Sequence, residues 1–338
     1  RFAGALLSPP DIGGRYAALS YVGLAPAALI GIDARELSRR GAAMAAECGP
    51  DTGAEENPGA WLGAVLGEAA LAGRDKLTLL LSPRLRSFGL WLEQLVAEST
   101  GKEGKGIVPV VGEPPGDPRS YGPDRLFAVI SLAGESDMES AAPAGQPVVR
   151  ITLDDPYDLG AEFFRWEFAT AVASAIFGVN AFDQPNVAES KANTKAILAR
   201  APAPRAAGSR ADVARVLSGV RSGDYVAMLA YLPPSDDLDR RLSALQGRLR
   251  DRLRAAVTAG CGPRYLHSTG QLHKGGPARG HFIMVVPPVT ADLPIPGESF
   301  TFGRLMAAQA EGDYQALEER RRPVLWLDGL DTLEEAVQ

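Results

Sequence analysis

Four stretches of this sequence carry polar or charged residues that the neighbouring apolar segments do not need for folding. They are two glycines before an arginine, a glutamate that ends a helix-like segment, a glutamine and a lysine about two helical turns apart, and a histidine-rich loop. The candidate residues are Gly13, Gly14, Arg15, Glu98, Gln184, Lys191 and His267. A carboxylate, a fixed cation and titratable groups in one site suit proton transfer on a carbonyl compound.

Arg15 follows a turn-forming Pro-Pro-Asp and the pair Gly13-Gly14, and it precedes an apolar run. Glycine lets the backbone approach a ligand closely, and a guanidinium offers a planar fork of donors that stays charged. The pattern predicts a fixed positive charge at the mouth of a pocket. An ordinary arginine in a surface loop is the alternative.

Glu98 lies where the helix-like segment 87–99 runs into the glycine-rich loop 101–106. A glutamate at the C-terminal end of a helix opposes the helix dipole, which favours a role in proton transfer. A solvated helix end is the alternative. The glycines of the loop lack the spacing of a phosphate-binding P-loop.

The third and fourth stretches offer a lysine and a histidine. Pro185 suits the first turn of a helix, which would place Gln184 and Lys191 on one side of it. The three histidines, His267, His273 and His281, follow one another at spacings of six and eight residues. These spacings fit no helical or tight-turn metal pair, so we predict no metal site and expect one catalytic histidine beside two surface ones.

Length and composition indicate a globular protein of about two domains. The chain has 338 residues, of which 46% are hydrophobic and 22% charged, with a net charge of -6. A negative net charge does not favour a nucleic-acid or anionic-membrane partner, because these partners need a basic surface. No segment approaches the ~18 apolar residues of a membrane helix. Cys48 and Cys261 match no disulfide framework, so we expect a soluble cytoplasmic protein. Because the first residues resemble a strand ending at Leu7, we also expect the chain to begin inside a larger protein.

The elements that would position the candidate residues follow an α/β pattern. Short apolar runs alternate with helical periodicity, which predicts βαβ units and a parallel sheet. We predict strands over 76–81, 107–111, 126–132, 148–153, 225–232, 264–267, 282–286 and 324–327, and helices over 34–48, 61–71, 87–99, 159–177, 238–256 and 302–319. Two prolines among small residues make 201–208 a linker. The arginine run of the helix 238–256 indicates a solvated face or a subunit contact.

The motifs resemble those of glucose-6-phosphate isomerases. The matching stretches are Asp-Ile-Gly-Gly-Arg-Tyr, Glu-Ser-Thr-Gly-Lys-Glu-Gly-Lys-Gly, Gly-Val-Asn-Ala-Phe-Asp-Gln-Pro-Asn-Val-Ala-Glu-Ser-Lys and Leu-His-Ser-Thr-Gly-Gln. They look most like the isomerase part of bacterial transaldolase/glucose-6-phosphate isomerase fusions. The resemblance covers most of residues 6 to 199 and much of 210 to 328.

The resemblance implies a three-layer α/β sandwich with a mainly parallel sheet, of the sugar-isomerase (SIS) type, plus a carboxy-terminal α/β segment. It divides the chain into the end of a truncated first sugar-isomerase subdomain (1–35), a second sugar-isomerase domain (36–200), the linker (201–208) and a carboxy-terminal α/β domain (209–338).

The resemblance also assigns roles to the candidate residues. Glu98 would move a proton between the first two carbons of the open-chain sugar, and Arg15 would stabilise the enediolate. Lys191 and His267 would assist ring opening. Gln184, Gly13 and Gly14 would line the sugar site. It implies a phosphosugar substrate, a homodimer, a fused or upstream transaldolase domain, and neither metal nor organic cofactor.

Two other classes of function stay open from the sequence. A sugar-phosphate-binding domain of the same fold could lack part of the catalytic site. Alternatively, the chain could serve only in an interaction, with its arginine-rich helix docking on a fusion partner.

Overall fold

The computed structural model describes residues 4–135, 141–200 and 205–338, with the backbone alone for residues 186–192. Within these residues the chain forms two four-stranded sheets in which all neighbouring strands are parallel. One sheet lies on each side of the range 201–208, of which residues 201–204 are outside the described residues. The predicted α/β class with parallel sheets is confirmed.

The first sheet has the order β2-β1-β3-β4 and lies in the amino-terminal part of the chain. Its strands are β1 (Lys76–Leu81), β2 (Val108–Val111), β3 (Arg125–Leu132) and β4 (Val148–Leu153). The helices are α1 (Tyr21–Leu29), α2 (Ala34–Glu47), α3 (Pro58–Leu71), α4 (Arg86–Thr100), α5 (Leu159–Phe177) and α6 (Pro185–Leu198). Apolar side chains of β1, β3 and β4 form one core with α3, α4 and α5.

The second sheet has the order β6-β5-β7-β8 and is covered by helices on both faces. Its strands are β5 (Tyr225–Ala230), β6 (Ala256–Cys261), β7 (Gly280–Val285) and β8 (Val324–Leu327). The helices are α7 (Arg210–Ser218), α8 (Asp236–Leu253), α9 (Gly270–Gly275), α10 (Phe302–Glu319) and α11 (Leu330–Ala336). One face packs on α7, α8 and α11, and the opposite face packs on α10 and α9.

The two sheets share part of their cores. Val108 and Val110 of β2 lie in the same buried cluster as Tyr225 and Leu229 of β5. Beside this cluster the Gln246 amide of α8 donates to the carbonyl of Val111 at 3.2 Å and to that of Val257 at 2.9 Å. Shared apolar packing of this kind holds the sheets together by excluding water from both.

Local chemistry explains several of these helices and strands. The Asn57 side chain accepts from the amide of Ala60, and Pro58 occupies the first turn, so α3 begins there. Five of the six residues of β1 are buried, as a strand covered on both faces requires. Gly178, with φ of 71°, ends α5 in the left-handed conformation that favours glycine.

Three predictions about elements are wrong. Leu6 and Leu7 lie in an exposed, irregular stretch and not in a strand. Residues 264–267 form a 3-10 turn, whereas the strand next to them is β6, which begins at Ala256. The predicted helix 238–256 therefore ends earlier, at Leu253, where Arg254 takes a left-handed conformation with φ of 53°.

Two arginines of the run in α8, Arg241 and Arg250, are engaged inside the chain. Arg250 is buried and donates to the Tyr121 hydroxyl at 3.2 Å and to the carbonyl of Pro114. Arg241 pairs with Glu334 at 2.8 Å. The other four arginines of the run are exposed: Arg240, Arg248, Arg252 and Arg254.

Across the described residues, none of the helices has both the length and the apolar character needed to span a bilayer.

The packing of α3 on α5 predicts that Gly63 cannot be enlarged. A Cβ at Gly63 would lie 2.6 Å from the carbonyl oxygen of Ala169 and 2.6 Å from Val172 Cβ. Gly63→Ala should gain about 1 kcal/mol of helix propensity and lose roughly 1–3 kcal/mol to overpacking, for a net loss. Urea unfolding would measure it, with Gly53→Ala as control because a Cβ there meets nothing within 4 Å. A stabilised Gly63→Ala variant would contradict the packing described.

Two carboxyls of α5 should make stability depend on pH. Burial raises the pKa of Glu162 to about 7 and that of Glu167 to about 8. Above pH 5 the folded chain retains protons that the unfolded chain loses, so the free energy of unfolding should fall towards pH 8. The slope per group is up to about 1.4 kcal/mol per pH unit. Urea titrations at several pH values would measure this slope. Glu162→Gln should reduce it by the contribution of about one proton, whereas exposed Glu68→Gln should leave it unchanged.

Candidate active site

The Arg15 guanidinium lies at the centre of the candidate site and is only 1% exposed. Its Nε donates to Ser99 Oγ at 2.8 Å, and one Nη donates to the carbonyls of Ala181 at 2.6 Å and Asp183 at 3.1 Å. The other Nη lies 3.5 Å from Glu98 Oε1. Since the side chain is enclosed and held on three sides, the alternative of an ordinary loop arginine is wrong.

Glu98 lies in the last turn of α4 and is 4% exposed. One carboxylate oxygen faces Arg15, and the other accepts from the Gln94 amide at 3.1 Å. The alternative of a solvated helix end is therefore wrong. The structure brings together the two residues that the sequence assigns to proton transfer and to anion stabilisation.

The loop after Glu98 rests on α9 of the second sheet. The Gly104 amide donates to the Gly275 carbonyl at 2.9 Å, and the Gln271 amide donates to the Gly101 carbonyl at 3.1 Å. A Cβ at Gly101 would lie 2.5 Å from Leu272 Cα, so only glycine fits this contact. The position of Glu98 thus depends on both sheets.

Two lysines of this loop bind the segment that leads into α6. Lys102 is buried; its Nζ lies 2.8 Å from Asp183 Oδ1 and also donates to the Asn180 carbonyl. Lys105 Nζ donates to the Phe177 carbonyl at 2.7 Å. Burial lowers the pKa of Lys102, against the raising effect of Asp183. These lysines and Arg15 hold the segment 177–184 by its backbone oxygens.

The remaining candidates of the amino-terminal part are Gly13, Gly14, Gln184 and Lys191. Gln184 precedes the first turn of α6 and is partly buried, and the predicted helix at Pro185 is confirmed. Lys191 lies within α6, but its side chain is outside the described residues. A Cβ on Gly13 would have Arg15 Nη1 as its nearest neighbour at 4.0 Å, and one on Gly14 would meet nothing within 4 Å. The two glycines therefore border open space beside the guanidinium.

His267 ends the 3-10 turn before α9 and is exposed. It lies on the segment that supports the Glu98 loop, although no hydrogen bond joins it to Arg15 or Glu98. The expectation that the other two histidines lie at the surface is wrong, because His273 is 2% and His281 7% exposed. Burial lowers the pKa of His273 to about 3, and its Nδ1 lies 3.0 Å from the Tyr225 hydroxyl.

This arrangement can support proton transfer next to a developing negative charge. Glu98 offers a carboxylate that can take and return a proton, and the adjacent guanidinium can stabilise an oxyanion where little water competes. In the described part of the chain, no cluster of three or more His, Cys, Asp and Glu side chains has the arrangement of a metal site.

A large apolar cavity lies elsewhere and does not suit a sugar phosphate. It measures about 530 Å³ and is lined by apolar side chains of α1, α2, α4 and α5, among them Leu24, Leu37, Phe88, Trp91 and Phe163. No charged residue lines it, and neither Arg15 nor Glu98 borders it. A phosphate would lose its hydration there without gaining a charged partner.

Residues that the sequence did not assign are Ser99 and Lys102. Both stand in the glutamate-loop motif, but nothing in their spacing indicates what they contact. Ser99 accepts from Arg15 and from the Tyr16 hydroxyl at 3.0 Å, and Lys102 holds Asp183. The motif itself is the signal that could have identified them.

The contacts of Arg15 predict that lysine cannot replace it. An ammonium group cannot reach Ser99 and two carbonyls in the fixed fork of a guanidinium, and it would leave Glu98 without its close cation. Arg15→Lys should lower the free energy of unfolding by roughly 3 kcal/mol. Exposed Arg35→Lys is the control in the same urea titration, and equal stability of both variants would contradict the contacts described.

Comparisons with known proteins identify relatives for part of the chain. No protein-family model matches it. It is 30% identical over 234 residues to glucose-6-phosphate isomerase of Symbiobacterium thermophilum, covering 57% of this chain and 52% of that protein. It is 33% identical over 237 residues to the glucose-6-phosphate isomerase of Rubrobacter xylanophilus, covering 57% of this chain and 54% of that protein. The chain thus spans about half the length of these curated relatives.

Solved structures show weaker likeness. A hypothetical protein from Thermus thermophilus is 16% identical with a TM-score of 0.33, covering 96% of this chain and 90% of its own. The C-terminal domain of glucosamine-fructose-6-phosphate aminotransferase from Francisella tularensis is 11% identical with a TM-score of 0.29, covering 98% and 94%. The fold class rests on the strand pairing and not on these likenesses. The resemblance to glucose-6-phosphate isomerases is confirmed by the named curated relatives, over about 57% of this chain.

Proposed function

We propose that the chain is the carboxy-terminal part of an aldose-ketose isomerase that interconverts glucose 6-phosphate and fructose 6-phosphate through an enediolate. The observation that carries this proposal is the enclosed pair of Glu98 and Arg15, 3.5 Å apart beside the open space at Gly13 and Gly14. The relatives named glucose-6-phosphate isomerase support the same reaction class.

In the proposed reaction Glu98 takes the proton from C2 of the open-chain glucose phosphate and returns it to C1. Between these steps a proton passes from the C2 hydroxyl to the oxygen at C1, and the Arg15 guanidinium stabilises the negative charge of the enediolate. Proton and electron balance are kept within the substrate, so no oxidant is needed. Lys191 and His267 assist ring opening, and Gln184 lines the sugar site.

The proposal extends to the organisation of the protein. It takes residues 1–35 as the end of a first sugar-isomerase subdomain, 36–200 as the second, and 209–338 as a carboxy-terminal domain beyond the linker. It also includes a homodimer in the cytoplasm and a fused or upstream transaldolase domain.

The full-length gene product should convert fructose 6-phosphate to glucose 6-phosphate in an assay coupled to glucose-6-phosphate dehydrogenase. Glu98→Gln should lower kcat at least ~10²-fold, because the amide cannot accept the proton. The control is Glu103→Gln, which changes an exposed residue in the loop after Glu98 and should keep activity.

Equal turnover of the Glu98→Gln variant and the wild type would refute the assigned base. Should fructose 6-phosphate raise the melting temperature of the wild type without turnover, the chain would be a sugar-phosphate-binding domain instead, and the isomerase proposal would fail.

A further inference from the structure

His267 lies on a segment of residues 264–276, here called the His267 segment, that is fastened at both ends from the second sheet. Asp313 of α10 is 2% exposed, and it accepts from the Tyr265 hydroxyl at 2.7 Å and from Lys274 Nζ at 2.6 Å. Tyr265 lies before His267, and Lys274 lies after it. Asp313 therefore holds the segment on both sides of His267.

Next to His267, the segment is also fastened to α4 of the amino-terminal part through the buried Ser268 side chain. Ser268 Oγ donates to Glu93 Oε1 of α4 at 3.0 Å, and its other acceptor, the Tyr265 carbonyl, lies farther away at 3.4 Å. Glu93 is 5% and Ser268 6% exposed. This hydrogen bond joins α4 directly to the neighbour of His267.

Glu93 occupies a position where folding alone favours an apolar residue. Gly89, Val96 and Ala97, which lie one turn away on the same side of α4, are all buried. No cation of the described residues lies within ion-pair distance of the carboxylate. Burying a carboxyl without such a partner is unfavourable. Burial accordingly raises the pKa of Glu93 to about 7, against the lowering effects of Ser268 and the Arg264 charge.

The same helix carries Glu98, five residues later and about 140° further around its axis. Glu98 faces Arg15, while Glu93 faces the His267 segment. One rigid helix thus contacts both the candidate base and the neighbour of the candidate histidine.

We propose that Glu93 is a positioning residue, whose carboxyl holds Ser268 and thereby fixes His267 relative to the helix that carries Glu98. The effect on catalysis rests on the proposed function, whereas the effect on the His267 segment does not. The carboxyl oxygen accepts the serine hydrogen in both protonation states, so positioning needs the acceptor and not the charge.

Amide hydrogen exchange tests the structural half of this proposal without any substrate. Peptides within residues 264–276 should exchange at least about tenfold faster in Glu93→Leu and in Ser268→Ala than in the wild type. Glu162→Leu is the matched control, since Glu162 is also a buried glutamate with a pKa raised to about 7 and contacts no residue of the His267 segment. Unchanged exchange in both test variants, or equally fast exchange in the control, would overturn the proposal.

Turnover tests the catalytic half. Glu93→Leu and Ser268→Ala should each lower kcat by up to about 100-fold, the cost of a misplacement of about 1 Å, with little change in KM. Because both changes break one contact, the double variant should be no slower than the worse single variant. Glu93→Gln keeps an acceptor oxygen and should retain most of the activity and the slow exchange.

Additive losses in kcat, or a Glu93→Gln variant as slow as Glu93→Leu, would refute positioning through Ser268. If the wild type shows no isomerisation at all, the proposed function fails, and the exchange experiment still decides whether Glu93 holds the segment.

Discussion

A guanidinium withdrawn from water must find an acceptor for its N–H groups, and the site is built around this requirement. Arg15 satisfies it with Ser99, with two carbonyls of the segment 177–184, and with the nearby Glu98 carboxylate. Its partners lie more than eighty residues away in the chain. A buried charge left unpaired costs several kcal/mol, so these parts of the chain must come together in one arrangement.

The same arrangement also positions the side chains that could carry out proton transfer. Arg15 can sit next to Glu98 only because α4 ends where it does and because α9 supports the glycine-rich loop. Lys102 adds a second enclosed cation beside the first, tied to Asp183. Asp183 balances the charge of Lys102, so the Arg15 guanidinium is the group placed to stabilise an anionic transition state such as that of the proposed enediolate.

How far the sequence predicts this molecule depends on the kind of information each feature needs. Strands such as β1 and helices such as α5 follow from local apolar patterns, so their bounds were predicted closely. β6 was missed because Ala-Val-Thr-Ala-Gly-Cys contains small residues and follows an arginine-rich helix without a clear stop signal. The predicted strand at 264–267 is a turn, and its two apolar residues, Tyr265 and Leu266, are adjacent and do not alternate with polar ones.

In the candidate site, too, some features follow from local sequence and others only from the tertiary fold. The motifs identify Arg15 and Glu98, and the structure places them together, but no local pattern reveals which groups hold them. Glu93 leaves one trace in the sequence, a charged residue on the buried side of α4. Its partner Ser268 is 175 residues away, and such a pairing emerges only from the tertiary fold.

The shared core of β2 and β5 has a consequence for how the molecule comes apart. Val108 and Val110 lose their apolar surroundings if the second sheet opens, and the loop after Glu98 loses its support on α9 in the same event. Opening of the second sheet would therefore disturb the surroundings of Glu98 even if the first sheet stayed folded.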